Sequence, residues 1–401
     1  MNRELDRVIV VGAGPVGLVA TLSLLAEGIP VTLLEATSDL AEDLRASTFH
    51  PPTLDMLDRF GVAEKLVDQG LICPHWQFRD RKQGIVATFD LGLLAGETAH
   101  PYRLQCEQWK LTRAVRALVD DHPDGTLITD IRAEAVSQDA DSVTVEAVHA
   151  DGSRETLRGR YLIGADGARS VVRKAMNVNF EGMTIPEIFL SLSTHFKYHD
   201  AIPDLANIAY ISDPEEWLVL LRTPSLWRVL LPTDPNQSEE DIMDPAHVEA
   251  RLQAVLPSDQ PYEVVHKTAY RVHERVADRY VHGRVFLAGD AAHLNNPLGG
   301  MGMNGGIHDA VNLTGKLAQI WRGEADLSLM DRYERQRRKV ALETVQATAL
   351  RNRRILNSSD PAERAAYYDD LRATVDDPAR HKEYVLRSSM LQSLRDLEEV
   401  A

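Results

Sequence analysis

Three clusters carry residue types able to hold phosphate and sugar hydroxyls and to turn backbone N–H groups toward negative charge. The first is Gly12-Ala13-Gly14-Pro15-Val16-Gly17. Gly12 permits a tight turn, Gly14 lets the backbone approach a pyrophosphate, and Gly17 lets helix and strand pack closely. The amides at the following helix start would receive the anion, favoured by the helix dipole. Glu35 stands where a carboxylate would accept ribose hydroxyls. This stretch alone leaves NAD and FAD both open. The second cluster, Gly164-Ala165-Asp166-Gly167, places an Asp-Gly turn after a buried strand. The third begins with Gly289-Asp290-Ala291-Ala292-His293 and continues from Asn296-Pro297 through the glycine-rich run 298–306. Asp290 can accept hydrogen bonds from a polyol, and the small alanines beside it let the chain pass close to a ligand. The glycines of 299–306 would expose backbone N–H groups at a helix start, where negative charge is stabilised.

The elements that must position these clusters follow from hydrophobic pattern. Residues 8–11 and 31–34 are β-branched or leucine-rich runs that read as buried parallel strands. Residues 15–27 between them read as a helix closed by Gly28. Pro51 and Pro52 open a helix that Gly61 stops, and a second short helix covers 63–69. Residues 72–90 read as a hairpin with its turn at 82–84. An amphipathic helix over 108–119 is followed by strands around 126–135 and 142–149 and a turn at Asp151-Gly152. Short strands between 181 and 274, broken by Pro203, Pro214 and Pro224, read as an antiparallel sheet, with an acidic helical segment between 234 and 256. Helices are expected over 306–322 and 329–356. The charged tail beyond reads as a solvated helical cap.

Bulk composition narrows the classes. At 401 residues the chain can hold two or three domains. Apolar content of 44% and charged content of 26% are those of a globular protein. A net charge of −16 argues against nucleic acid and anionic membranes as partners. Cys73 and Cys106 form no disulfide framework and lack metal-ligand spacing, so a cytoplasmic location and no bound metal are expected. No run reaches the roughly 18 apolar residues of a membrane span, and the start leads straight into the first strand without room for a signal peptide.

The order GxGxxG, then GADG, then GD with PxGGxGMN, resembles the class A FAD-dependent aromatic hydroxylases, the para-hydroxybenzoate hydroxylase-like group. The resemblance covers about residues 7–350. It implies an α/β fold with a discontinuous Rossmann-like FAD-binding domain, an inserted, mostly antiparallel substrate-binding sheet, and C-terminal helices. The expected boundaries are 1–72, 97–180 and 275–330 for the FAD domain, 73–96 and 181–274 for the sheet domain, and 331–401 for the helical region. FAD rather than NAD is then expected at Gly12, Ala13, Gly14, Gly17 and Glu35. Arg45, Gln108, Asp166 and Asp290 match further cofactor contacts of the family, with Gly300, Gly302, Met303 and Asn304 at the flavin ring. Asp166 would serve nicotinamide coenzyme as well, and Pro297 would bring its carbonyl near the ring. His293 also fits the family, although a histidine after a Gly-Asp turn is as readily structural as catalytic.

The reaction the resemblance implies uses NAD(P)H and O2 to hydroxylate a phenolic or hydroxy-N-heteroaromatic compound through a C4a-hydroperoxyflavin. Such chemistry needs a dry pocket and an ionised substrate hydroxyl. His50, His195 and Arg222 are candidates for substrate base and anion contact. Tyr210, Trp217, Trp227, Arg228, His75 and Tyr102 are further candidates for the lining. The acidic run 37–44 would repel a 2′-phosphate, so NADH is expected over NADPH. Gly315 within a helix weakens it by roughly 1 kcal/mol relative to Ala and suggests close packing there. Members of the family often pair, so a homodimer is expected. Competing readings are a flavin-dependent halogenase, a non-oxygenase flavin reductase, and a non-catalytic FAD-binding protein. The halogenase is disfavoured because Trp217 and Trp227 form no WxWxIP segment.

Overall fold

The computed structural model describes residues 5–40, 42, 46–356, 358 and 360–400; Arg45 lies outside them. At the centre is a six-stranded sheet in the order 281–282, 285–287, 161–164, 8–11, 31–34, 125–128. All neighbours are parallel except the pair at 281–287. Strands Val8–Val11, Val31–Leu34 and Tyr161–Gly164 are buried at every position. Each fully buried Val, Ile or Leu contributes about 1.5–3 kcal/mol, which is why these short runs form strands so firmly.

The strand Val8–Val11 is followed by the helix Pro15–Ala26, which returns the chain to Val31–Leu34 on one side, while Tyr161–Gly164 flanks it on the other. The carboxyl end of Val8–Val11 is therefore a topological switch point, the place where an open α/β sheet leaves a crevice for a ligand.

The expected strand around 126–135 divides in two. Gly125–Ile128 joins the parallel sheet, and Ile131–Gln138 leaves it for a separate three-stranded antiparallel sheet with Val143–His149 and Arg154–Gly159. The break falls at Asp130, whose φ of 55° turns the chain.

A second large sheet has eight strands in the order 293–294, 264–277, 180–194, 227–233, 218–222, 208–212, 75–80, 84–90. Only 208–212 and 75–80 run parallel. Alternation along its strands separates two apolar faces. Leu190, Leu192, Leu218 and Leu220 face the helix Pro245–Val255 and its neighbours. Phe189, Tyr210, Trp217 and Val219 join a different cluster with Trp76, Phe78 and Phe89.

That second cluster overturns the expectation of a solvated tail. Tyr368, Leu371, Val385 and Leu391, from helices Pro361–Asp376, Pro378–Ser388 and Leu391–Glu398, are buried in it. The tail is a packed layer on the sheet. The expected helix 329–356 is also modified: Leu329–Lys339 and Ala347–Leu356 are α-helical, but Val340–Gln346 between them is a π-helix. Such segments rotate the following turns relative to an uninterrupted helix and recur at functional sites. Gly315 is exposed, with open space where a Cβ would stand, so the expected close packing is absent.

Candidate active site

Two sites meet at the edge of the parallel sheet. The first is a nucleotide cradle. Gly12 has φ +100°, and a Cβ there would lie 2.5 Å from the carbonyl of Ala165. A Cβ on Gly17 would overlap the carbonyl of Gly12, so helix and turn touch backbone to backbone. The helix Pro15–Ala26 begins at Gly14 with no side chain closing its end, which leaves positive dipole directed into the crevice. Glu35 is held in place: one oxygen accepts the Ala13 N–H at 2.8 Å, the other the Thr37 N–H and hydroxyl at 3.0 and 2.9 Å. Gln108 is the first residue of the helix Gln108–Asp120 and donates its N–H to the Ala46 carbonyl at 3.1 Å.

Asp166 lies against the same turn, its Cα 3.0 Å from where a Gly12 side chain would begin. Its carboxylate accepts from the Ser170 hydroxyl at 2.5 Å and from the N–H groups of Val171 and Val172 at 2.7 and 3.2 Å. Its visible work is to fix the start of the helix Val171–Ala175. Asp290 is exposed in the turn Gly289–Ala291.

The glycine loop forms the opposite wall. Gly299 and Gly300 have φ of +113° and +67°, conformations that favour glycine. Asn304 is fully buried and bolts this loop to the strand before the proline-opened helix. Its Oδ1 accepts the His50 N–H at 2.9 Å, and its Nδ2 donates to the carbonyls of Thr48 and Gly300 at 2.8 and 2.7 Å. The helix Gly302–Trp321 starts without a side-chain cap. A Cβ on Gly306 would meet Val16 at 2.6 Å and the Gly289 Cα at 3.1 Å, while one on Gly302 would stand 3.0 Å from Asn295 Oδ1. Met303 packs half-buried against the main core. Pro297 is half-buried, and its carbonyl accepts the Gly300 N–H at 2.9 Å, closing a turn.

Behind the loop lies a buried charge network. His293 Nε2 is 2.8 Å from Asp309 Oδ2, which also accepts the Gly289 N–H at 3.0 Å. Arg337 Nε stands 2.5 Å from Asp309 Oδ1, and the same guanidinium reaches the Gly305 carbonyl at 3.1 Å. Burial alone would raise the Asp309 pKa, but Arg337 and His293 outweigh it and hold it at about 2. His293 is thereby a member of a structural triad that joins the Gly289 turn to the glycine-loop helix.

The second site is a cavity of about 750 Å³ between the eight-stranded sheet and the C-terminal helices. Trp76, Phe78, Arg103 and Tyr210 supply one wall, and Gly299 and Met301 bring the glycine loop to it. Trp76 stacks on Phe89 at 4.2 Å, Phe89 on Tyr384 at 4.4 Å, and Tyr210 meets Trp76 edge-on at 5.6 Å. A flat apolar ring fits between such surfaces.

Several expected pocket residues lie elsewhere. His195 is exposed at the end of its strand, with Nδ1 3.3 Å from the Ser225 carbonyl. Arg222 is half-buried and reaches Asn207 Oδ1 at 3.4 Å, away from the lining. Trp227 belongs to the opposite face of the sheet, against His199, and Trp217 is packed edge-on to Phe189. Arg228 is buried with its guanidinium 3.1 Å from the Ser47 hydroxyl. His75 is exposed beside Asp90, and Tyr102 is half-buried against the main core. These strands alternate, so a one-residue difference in phase sends a side chain to the wrong face. Tyr210 is the candidate that does line the cavity.

His50 is fully buried with Nε2 2.9 Å from the Gly299 carbonyl. A carbonyl only accepts, so Nε2 carries the proton. Burial first, then Arg103, pushes its pKa well below the ordinary histidine value, which makes it a poor proton acceptor and a good pin for the glycine loop. Among the arginines that line the cavity, the one on the sheet side is Arg103, in the three-residue strand Arg103–Gln105. The sequence offered one signal for it, a charge inside an otherwise sheet-forming stretch.

A crevice at the switch point, a glycine loop at a bare helix start and an aromatic cavity behind it define a flavoprotein that works on aromatic rings. The chain belongs to the FAD binding domain family, whose match runs over residues 6–348. It is 34% identical over 402 aligned residues to para-nitrophenol 4-monooxygenase of Pseudomonas sp. (strain WBC-3), covering 99% of this chain and 96% of that protein. It is 35% identical to 6-hydroxy-3-succinoylpyridine 3-monooxygenase of Pseudomonas putida (strain DSM 28022 / S16), covering 89% of this chain and 91% of that one. The crystal structure of p-nitrophenol 4-monooxygenase from Pseudomonas putida DLL-E4 superposes with a TM-score of 0.91 at 32% identity, over 97% of this chain and 98% of that chain. The protein is an FAD-dependent aromatic monooxygenase with the α/β fold of that group. Among the described residues no helix is long and apolar enough to cross a membrane.

Proposed function

We propose that the enzyme uses NADH and O2 to hydroxylate a small single-ring phenol or hydroxypyridine, 4-nitrophenol being the first candidate. The observation that carries this reading is the shared wall: Gly299 and Met301 line the aromatic cavity from the loop that would receive the flavin ring. FAD, when bound, supplies the activation of dioxygen by reduced flavin. The chain's own residues bind, orient and dry. Gly12, Ala13, Gly14, Gly17 and Glu35 would hold the nucleotide half, with Gln108 and Asp290 beside it. Gly300, Gly302, Met303 and Asn304 would shape the ring site and offer amides to charge developing there. Trp76 and Tyr384, each stacked on Phe89, give the cavity an aromatic face, and the helices Pro361–Asp376 and Pro378–Ser388 cover it against water.

NADH is favoured over NADPH by two ion pairs. Arg116 meets Asp39 at 2.8 Å, and Arg113 pairs with Glu42, so these two arginines beside the acidic run are already engaged. We divide the chain as 1–72, 97–180 and 275–330 for FAD, 73–96 and 181–274 for substrate, and 331–401 for the covering helices. The proposed setting is the cytoplasm, where NADH is supplied, and the proposed assembly a homodimer, which light scattering tests.

The test is NADH oxidation by the FAD-loaded enzyme with a panel of phenols and hydroxypyridines, with product analysis. Faster oxidation with stoichiometric hydroxylated product supports the proposal. NADH oxidation indifferent to every aromatic, with no product, overturns it.

A further inference from the structure

The proposed function leaves open which group in the cavity takes hold of the substrate's charge. Four arginines line it: Arg103, Arg351, Arg380 and Arg387. Arg380 and Arg387 are at the exposed end and already pair with Asp370 and Glu383. Arg103 is different. It is 3% exposed, and among the described residues no carboxylate forms a salt bridge with it. One of its terminal nitrogens donates to the Ser388 carbonyl at 3.1 Å, the guanidinium also interacts with the Tyr210 hydroxyl, its Nε is buried without a partner, and its Cζ lies 5.2 Å from the centroid of the Trp76 ring.

A buried cation without a counter-ion is expensive, by several kcal/mol in general, and proteins keep one where an anion is to arrive. Three carboxylates share the cavity lining, Glu343, Glu383 and Asp396; Glu383 pairs with Arg387, Asp396 accepts from Gln392, and among the described residues none forms a salt bridge with Arg103. Its electrostatic neighbours are Tyr210 and Tyr384 from the sheet and the tail, and the thiol of Cys73. His50, also near, is held neutral by burial and by Arg103 itself. Arg351 adds a second positive charge toward Tyr384. Burial pushes the Tyr384 hydroxyl up, and the Cys73 thiol up to about 12, so neither provides negative charge near neutrality.

We propose that Arg103 binds the ionised hydroxyl of the aromatic substrate and holds it as a phenolate for attack by its ring carbon. This rests on the proposed function, since it assumes a phenol in the cavity. The O–H bond breaks, its proton leaves to water, and the oxygen keeps the electron pair; the guanidinium stays protonated and donates to that oxygen. The charge-assisted bond is shorter and roughly twice as strong as a neutral one, which is what shifts the phenol toward its ionised form. Arg103 would also set selectivity: phenols and hydroxypyridines bind, and methyl ethers of the same rings bind far less.

The experiment is a spectroscopic titration of 4-nitrophenol bound to the FAD-loaded enzyme, since the phenolate has its own absorption band. The wild type should ionise bound 4-nitrophenol with a constant at least about tenfold larger than in water, a shift of one pH unit. Arg103→Met should abolish that shift and lower kcat/KM on the order of 100-fold, as loss of one partner of a buried ion pair does, with flavin content and Tm near wild type. Should Arg103→Met not fold, Arg103→Lys reads the same quantity: part of the ionisation shift should persist while affinity falls about tenfold. Bound nitrophenol with an unchanged ionisation constant in Arg103→Met, or wild-type affinity in Arg103→Lys, overturns the assignment of Arg103 alone. A wild-type enzyme that binds no phenol overturns it together with the proposed function.

Discussion

Arg337 and Asp309 face each other at 2.5 Å with essentially no exposed side-chain surface on either. The pair lies one helix turn behind the glycine loop, and its second oxygen holds both His293 and the backbone of Gly289. It therefore ties together two segments that would flank the flavin. Asp309→Asn should leave a buried guanidinium uncompensated and cost about 3–5 kcal/mol, measured by chemical denaturation. The wild type should show the matching acid response. Asp309 has its pKa depressed to about 2, so its contribution is full above the ordinary aspartate range and fades as pH falls toward that value.

Asn304 makes three hydrogen bonds to three separate backbone groups, those to His50 and Thr48 fully buried. Asn304→Ala should strand the His50 N–H and the carbonyls of Thr48 and Gly300, each at about 1–3 kcal/mol if water does not replace the amide. The expected result is flavin bound at least tenfold more weakly, read by titration of apoprotein with FAD. Flavin affinity within twofold of wild type would contradict the role given to this side chain.

Glu274 is buried in the strand Val264–Ala277, where Oε1 accepts the Asn296 N–H at 2.9 Å and Oε2 has no partner. Burial raises its pKa to about 7. A carboxyl raised in the folded state is protonated more readily there than in the unfolded chain. Its contribution is intact below the ordinary glutamate range and is lost as pH rises toward 7. Glu274→Gln removes that dependence, so the variant should gain on the wild type by about 2–3 kcal/mol between pH 4.5 and 8. Parallel denaturation curves at both ends of this range check it.

Coenzyme choice is open to a charge test. Removing Asp39 and Glu42 together frees Arg113 and leaves Arg116 with Asp120 as its remaining carboxylate partner, and the double alanine variant should gain a few-fold in kcat/KM for NADPH relative to NADH. An unchanged ratio would place the discrimination elsewhere.

The parallel sheet and the glycine loops were readable in the sequence because their requirements are local. A strand buried on both faces needs an unbroken apolar run, and Gly12 and Gly17 stand where backbone meets backbone. The cavity was harder to read because its walls come from alternating strands and from helices far along the chain. Arg222 and His195 belong to the right sheet and miss the cavity, whereas Arg103 reaches it from a strand of three residues. Tyr367, Tyr368 and Tyr384 were hidden by the density of charge around them. Helices with one narrow apolar stripe look solvated until their partner surface is known. The link between Asp309 and Arg337 is tertiary, and no local pattern announces it. Arg45, expected beside the flavin, lies outside the described residues.

The π-helical stretch Val340–Gln346 brings Glu343 to the cavity wall, and the chain after it supplies the rest of the helical lining. The same tail packs Met390 and Leu397 against Met301 of the glycine loop. The lid over the ring pocket and the loop proposed to hold the flavin therefore share one apolar joint, so a change in the tail is felt on both sides of it.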